Sequence, residues 1–126
     1  MKHTIIYIDD EPENLRAFKA CFRRDYNIYT TDSPQQGLDY LHENKVDLII
    51  TDQRMPGMTG VEFLKEVYNF MPGKPPCRMI YSGYSKTENI EEAINNKWMS
   101  VFIAKPCEPV KLKAKIEKAI SNCKID

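Results

Sequence analysis

The chain has 126 residues, with 18 Lys+Arg against 18 Asp+Glu, so its formal net charge is zero. That length holds one hydrophobic core and leaves little for a second. A content of 42% hydrophobic and 29% charged residues is that of a folded chain rather than a disordered one, and the charge balance argues against a dedicated nucleic-acid binder.

In chain order, Thr4-Ile5-Ile6-Tyr7-Ile8 reads as a short strand buried on both faces. A helix follows from Pro12 to about Arg24, with Leu15, Phe18 and Phe22 on one stripe. Pro12 suits the first helical position, where its missing N–H loses nothing. Tyr26 to Thr30 alternates as an edge strand does. Ser33-Pro34 supplies the N-cap and first residue of a second helix that buries Leu38 and Leu41. Asp47 to Thr51 is another buried strand. A third helix opens near Thr59, carries Val61, Leu64, Val67, Tyr68 and Met71, and is stopped by Pro72-Gly73 in the Pro-rich segment that ends at Pro76. Cys77 to Tyr81 predicts a fourth strand, and Thr87 to Asn95 a short helix burying Ile90, Ala93 and Ile94. Ser100 to Ala104 predicts the last buried strand. The helix after Glu108-Pro109 buries Leu112, Ile116, Ala119, Ile120 and Cys123.

This alternation is (βα)5. Right-handed crossovers then give an α/β, flavodoxin-like, doubly wound sheet of five parallel strands in the order 2-1-3-4-5, formed as a single domain over residues 1–126. A TIM barrel needs about eight such units and is excluded. No run approaches the ~18 apolar residues of a membrane span. Asp9-Asp10-Glu11 interrupts the N-terminus before a signal sequence could form, so the expected location is cytoplasmic, without a membrane partner. Cys21, Cys77, Cys107 and Cys123 have no CxxC spacing and no neighbouring histidine, which predicts separate thiols rather than a zinc site or redox pair. Lys111, Lys113, Lys115 and Lys118 are interleaved with apolar residues and predict a solvated helix face, with no direct nucleic-acid contact.

The polar residues fall at the carboxyl ends of the strands. Strand 1 ends in Asp9-Asp10, strand 3 in Asp52, strand 4 in Ser82-Gly83 and strand 5 in Lys105-Pro106. In this strand order, strands 1 and 3 are neighbours and the topology reverses between them, which is where such sheets bind ligands. Two carboxylates 4 Å apart repel by roughly 4 kcal/mol at an effective dielectric near 20. Lys105 offsets one charge, and a divalent cation would offset the remainder; an all-oxygen donor set favours Mg²⁺ over zinc. Singly, Asp9 and Asp10 could be helix-capping acids and Asp52 a loop residue. Neither reading explains why all five groups gather at one end of the sheet. With a metal present, Asp52 is the best candidate for a carboxylate nucleophile toward a phosphoryl group.

The residues Asp9-Asp10-Glu11-Pro12, Asp52 followed by Met55-Pro56-Gly57-Met58-Thr59-Gly60, Ser82-Gly83 and Lys105-Pro106 resemble the receiver domain of two-component response regulators, in the family's order and spacing over nearly the whole chain. The resemblance implies a phosphorylation-dependent signalling switch. Asp52 accepts a phosphoryl group from a sensor histidine kinase or phosphotransfer protein, with Mg²⁺ required. Asp10, Asp52 and the Arg54 carbonyl are implied as direct metal ligands, with Asp9 acting through a metal-bound water. Lys105 is implied to pair with the acceptor carboxylate and then the phosphate, and Ser82 to bind a phosphoryl oxygen. Phe102 stands where the family places a rotamer-switching aromatic, though an ordinary core aromatic fits there equally. The implied output is altered binding of a downstream protein or domain at the face of helix 4, strand 5 and helix 5, with a phosphorylation-linked homodimer as a family expectation. The domain would be no enzyme beyond promoting its own phosphotransfer and autodephosphorylation.

Arg54 and Tyr84, two residues past Asp52 and Ser82, are bulky where the family tunes phosphoryl lifetime, which predicts slow hydrolysis. Lys97 replaces a common helix-ending glycine, and Asn96 is the expected left-handed substitute. Two other functions remain open to the sequence. A Mg²⁺-dependent phosphohydrolase with an aspartate nucleophile would usually carry a second acid where Arg54 stands. A phosphate-independent interaction module would not need the intact set Asp9, Asp10, Asp52, Ser82 and Lys105.

Overall fold

Period-two alternation divides β1 (Thr4–Ile8) between two layers: Ile5 and Tyr7 join one core, Ile6 and Ile8 the other, and all four are buried. The computed structural model describes residues 2–71, 76–83 and 88–124. After β1 come α1 (Pro12–Phe22), β2 (Asn27–Thr31), α2 (Pro34–Glu43), β3 (Leu48–Thr51) and α3 (Gly60–Phe70). They are followed by β4 (Cys77–Ser82), α4 (Glu88–Asn95), β5 (Val101–Ala104) and α5 (Pro109–Lys124). The strands form one parallel sheet in the order β2-β1-β3-β4-β5. The doubly wound, flavodoxin-like arrangement is therefore the observed one.

Leu15, Phe18 and Phe22 of α1 and Leu112, Ile116 and Ile120 of α5 cover one face of the sheet. Leu38 and Leu41 of α2, Val61, Phe63, Leu64 and Val67 of α3, and Ile90 and Ala93 of α4 cover the other. The caps match the sequence: the Ser33 hydroxyl accepts from the Gln36 N–H, and Thr59 and Glu62 form a reciprocal capping box at the start of α3.

Several expectations are corrected. Only Ile103 of β5 is buried, because the strand lies at a sheet edge and lacks a second neighbour. Ile94 is 42% exposed: Ala93 faces the sheet, and the next residue turns about 100° away from it. Cys123 is half-buried rather than buried. The left-handed residue after α4 is Lys97 itself, with φ 63°, not Asn96. The Trp98 and Lys97 N–H groups return to the Ala93 and Ile94 carbonyls, completing a Schellman closure. The buried Arg78 guanidinium then holds the Lys97 and Trp98 carbonyls at 2.9 and 2.8 Å. Cys77 and Cys123 are not separate thiols but form a disulfide, with Cα atoms 5.7 Å apart, linking the start of β4 to the last turn of α5. Sequence spacing detects local cysteine pairs, whereas this pair is made by the packing of α5 on the sheet. Thr87, Tyr84 and the segment 72–75 lie outside the described residues. No helix among the described residues is long and apolar enough to cross a membrane.

Candidate phosphoryl and metal site

The register of β1 on β3 sets Ile8 opposite Thr51, and the Asp52 N–H donates to the Ile8 carbonyl. Asp9 and Asp52 therefore leave the sheet side by side at its carboxyl edge, with Asp10 one residue further on. Ligand oxygens of Asp9, Asp10 and Asp52 lie within 4.8 Å of one another. Asp9 and Asp52 are buried and Asp10 is half-buried. Lys105, just past β5, reaches back with Nζ 2.8 Å from Asp9 Oδ2 and 3.6 Å from Asp52 Oδ2. Its backbone N–H donates to the carbonyl of Ser82, which ends β4 and is fully buried. The structure thus gathers the three acids and the lysine, and ties the lysine to the Ser82 backbone. Arg54 is exposed and lines a cleft of about 340 Å³ with Asp10, Met55, Pro56 and Thr59. Phe102 is half-buried on β5 against the core layer of α2, α3 and α4.

Each carboxylate is oriented by its surroundings. Asp9 Oδ2 accepts from the Tyr7 hydroxyl at 2.7 Å, the Lys105 ammonium at 2.8 Å and Asn14 Nδ2 at 3.2 Å; its Oδ1 accepts from the Glu11 N–H at 2.9 Å. Burial alone would raise the Asp9 carboxyl, but the bonds from Lys105, the Glu11 N–H and Tyr7 outweigh it and hold it below the ordinary carboxylate value. Burial, followed by the bond to Asp9, pushes the Tyr7 phenol up, so it remains a proton donor across the working pH range. Asp52 Oδ1 accepts from the Gln53 N–H at 2.8 Å, leaving Oδ2 toward Lys105. Gln53 also stitches the following loop: its carbonyl accepts from the Gly60 N–H and its side-chain Oε1 from the Val61 N–H, each at 2.9 Å. A Cβ on Gly60 would overlap the Asp52 carbonyl oxygen, so this close approach requires glycine. Gly57 holds the turn of that loop with φ 82°.

Tyr7, Asn14 and Gln53 are site residues that the motif reading did not single out. Tyr7 was legible, because it lies two residues before Asp9 on a strand and must share its face. Gln53 carried no comparable signal, since its role depends on a loop path that no pattern specifies.

Three carboxylates facing one ammonium leave an excess of negative charge. The donors are all oxygen, and Asp10 keeps access to solvent. This donor chemistry fits a hard divalent cation such as Mg²⁺.

Comparison with known proteins agrees with the geometry. The sequence model of the response regulator receiver domain matches residues 5–117. The hydrogenase transcriptional regulatory protein HoxA of Bradyrhizobium diazoefficiens is 34% identical over 93% of this chain, and the transcriptional regulatory protein ZraR of Escherichia coli O157:H7 is 30% identical over 96%. The match spans 24% of HoxA and 27% of ZraR, so the chain spans about a quarter of the length of these relatives. A CheY-like receiver domain from Methanospirillum hungatei superposes with a TM-score of 0.89 at 23% identity, covering 98% of each chain. This chain belongs to the receiver-domain family of two-component response regulators. Members of that family act as signalling switches.

Proposed function

We propose that residues 1–126 act as a single receiver domain that accepts a phosphoryl group on Asp52 from a sensor histidine kinase or phosphotransfer protein. The observation that carries this reading is the approach of Asp9, Asp10 and Asp52 oxygens to within 4.8 Å of one another, with Lys105 paired to Asp9 and Asp52. Asp9, Asp10, Asp52 and the carbonyl of Arg54 would hold Mg²⁺, which would offset charge on the phosphoryl oxygens. The Asp52 Oδ2 lone pair forms the new O–P bond as the donor's bond to phosphorus breaks, giving an acyl phosphate. Lys105, already 3.6 Å from Asp52 Oδ2, moves from Asp9 toward the added negative charge. The Ser82 hydroxyl donates to a phosphoryl oxygen and draws in the end of β4. Because the Ser82 carbonyl is bonded to the Lys105 N–H, that movement reaches β5 directly.

The change then shifts the population of Phe102 rotamers and alters binding of an output protein or domain at the face of α4, β5 and α5. The domain works in the cytoplasm as a switch, and its own chemistry is confined to gaining and losing this one group. The test is intact mass after incubation with acetyl phosphate and Mg²⁺. One phosphoryl group is expected on the wild-type chain and none on Asp52→Asn. Absence of the group from the wild type, or its retention in Asp52→Asn, overturns the reading.

A further inference from the structure

We propose that the Tyr7 hydroxyl is a positioning group for phosphoryl capture, which shares the Asp9 oxygen gripped by Lys105 and so keeps that ammonium poised between Asp9 and Asp52. The inference rests on the function proposed above and assigns a residue that the four site motifs do not include.

Asp9 Oδ2 is oversubscribed. A carboxylate oxygen offers about two in-plane lone pairs, yet this one receives three donors: Tyr7 Oη at 2.7 Å, Lys105 Nζ at 2.8 Å and Asn14 Nδ2 at 3.2 Å. Each donor weakens the hold available to the others. The tyrosine cannot yield its share by turning away. It is 1% exposed, with its ring fixed against Phe18 and Tyr81 at centroid distances of 4.7 and 6.5 Å. Lys105 also lies over Tyr81, with Nζ 5.2 Å from the centre of that ring. Two tyrosines on one face of the sheet thus set where the ammonium rests: bonded to Asp9, and at 3.6 Å within ion-pair reach of Asp52.

Removing the Tyr7 hydroxyl frees a lone pair on Asp9 Oδ2. Lys105 then binds Asp9 more tightly and withdraws from Asp52, and less of it is available when charge arrives on the phosphoryl oxygens. The loss falls on the transfer step rather than on binding of the donor.

Tyr7→Phe keeps the ring and its packing, and two readings of that variant test the inference. In metal-free protein, the NMR resonance of Lys105 Nζ shifts from its wild-type position. With Mg²⁺ and acetyl phosphate, the saturating rate of phosphoryl uptake falls roughly three- to tenfold, the equivalent of one net hydrogen bond. The half-saturating acetyl phosphate concentration stays near wild type, and the melting temperature falls by the few degrees that one lost buried hydrogen bond costs. Wild-type values in both readings overturn the inference, as does an equal rate loss from Tyr7→Phe in a Lys105→Met background, since the effect must then bypass Lys105. If Tyr7→Phe unfolds, Asn14→Ala, which removes another donor from the same Asp9 oxygen at a half-buried position, replaces it under the same criteria. If the wild type takes up no phosphoryl group while the metal-free Lys105 signal still moves, the proposed function fails and the role in phosphoryl capture fails with it, while the placement of Lys105 by Tyr7 stands.

Discussion

The Tyr26 hydroxyl, just ahead of β2, donates to Glu117 on α5 and fastens the last helix to the rest of the fold. Burial first, and then the bond to Glu117, raise this phenol above its ordinary value of 10.0. The protonated form is therefore the stabilising one. Its contribution is complete below the unfolded-state value and is lost as pH rises through the higher folded-state value. Tyr26→Phe is expected to lower stability by about 1 kcal/mol at neutral pH and to flatten the alkaline fall in stability, as measured by urea unfolding across pH. Gly60 gives a second expectation. The Asp52 carbonyl that a Cβ would strike also accepts from the Thr51 hydroxyl, and the Asp52 N–H is held in the sheet. The backbone therefore has little freedom to yield. Gly60→Ala should lose about 1–3 kcal/mol, whereas Gly83→Ala, facing open space, should stay within about 0.5 kcal/mol. The acids, Ser82 and Lys105 were legible at this scale because strand ends are readable from composition. The hydrogen bonds that orient those acids were not, since they depend on which side chains the register and loops set opposite one another.

Among the elements, β1 and β3 were the most legible, because runs of β-branched residues with no polar interruption fit only strands covered on both faces. β5 reads the same way in sequence, yet it lies at an edge and buries only Ile103 of its four residues. Strand order, not local composition, decides that difference. The left-handed residue after α4 was misassigned by one position for a related reason. Propensity favours Asn for a left-handed position, but three carbonyl contacts from Arg78, to Pro76, Lys97 and Trp98, fix the chain path at Lys97. A lysine with φ 63° carries a steric cost of about 1–2 kcal/mol that glycine lacks. Lys97→Gly is expected to raise stability by about 1 kcal/mol in thermal unfolding, while Asn96→Gly does not.

Across the whole molecule, the (βα)5 order was legible because each βα unit announces itself locally and right-handed crossovers leave few topologies. The Cys77–Cys123 link was not, since its partners are 46 residues apart and meet only when α5 docks on the sheet. The function depends on the same long-range assembly. Residues 9, 52, 82 and 105 come from four strands, and only the parallel order β1-β3-β4-β5 brings their tips to one edge. The proposed switch requires this edge to be one cation-dependent phosphoryl site. The most direct test is a Mg²⁺ titration followed through the backbone amide resonances of Glu11 and Gln53, whose N–H groups bond Asp9 Oδ1 and Asp52 Oδ1. Saturable shifts at both amides, weakened in Asp10→Asn, are the predicted result. Amides that do not move at saturating Mg²⁺, or that move alike in wild type and Asp10→Asn, would contradict it.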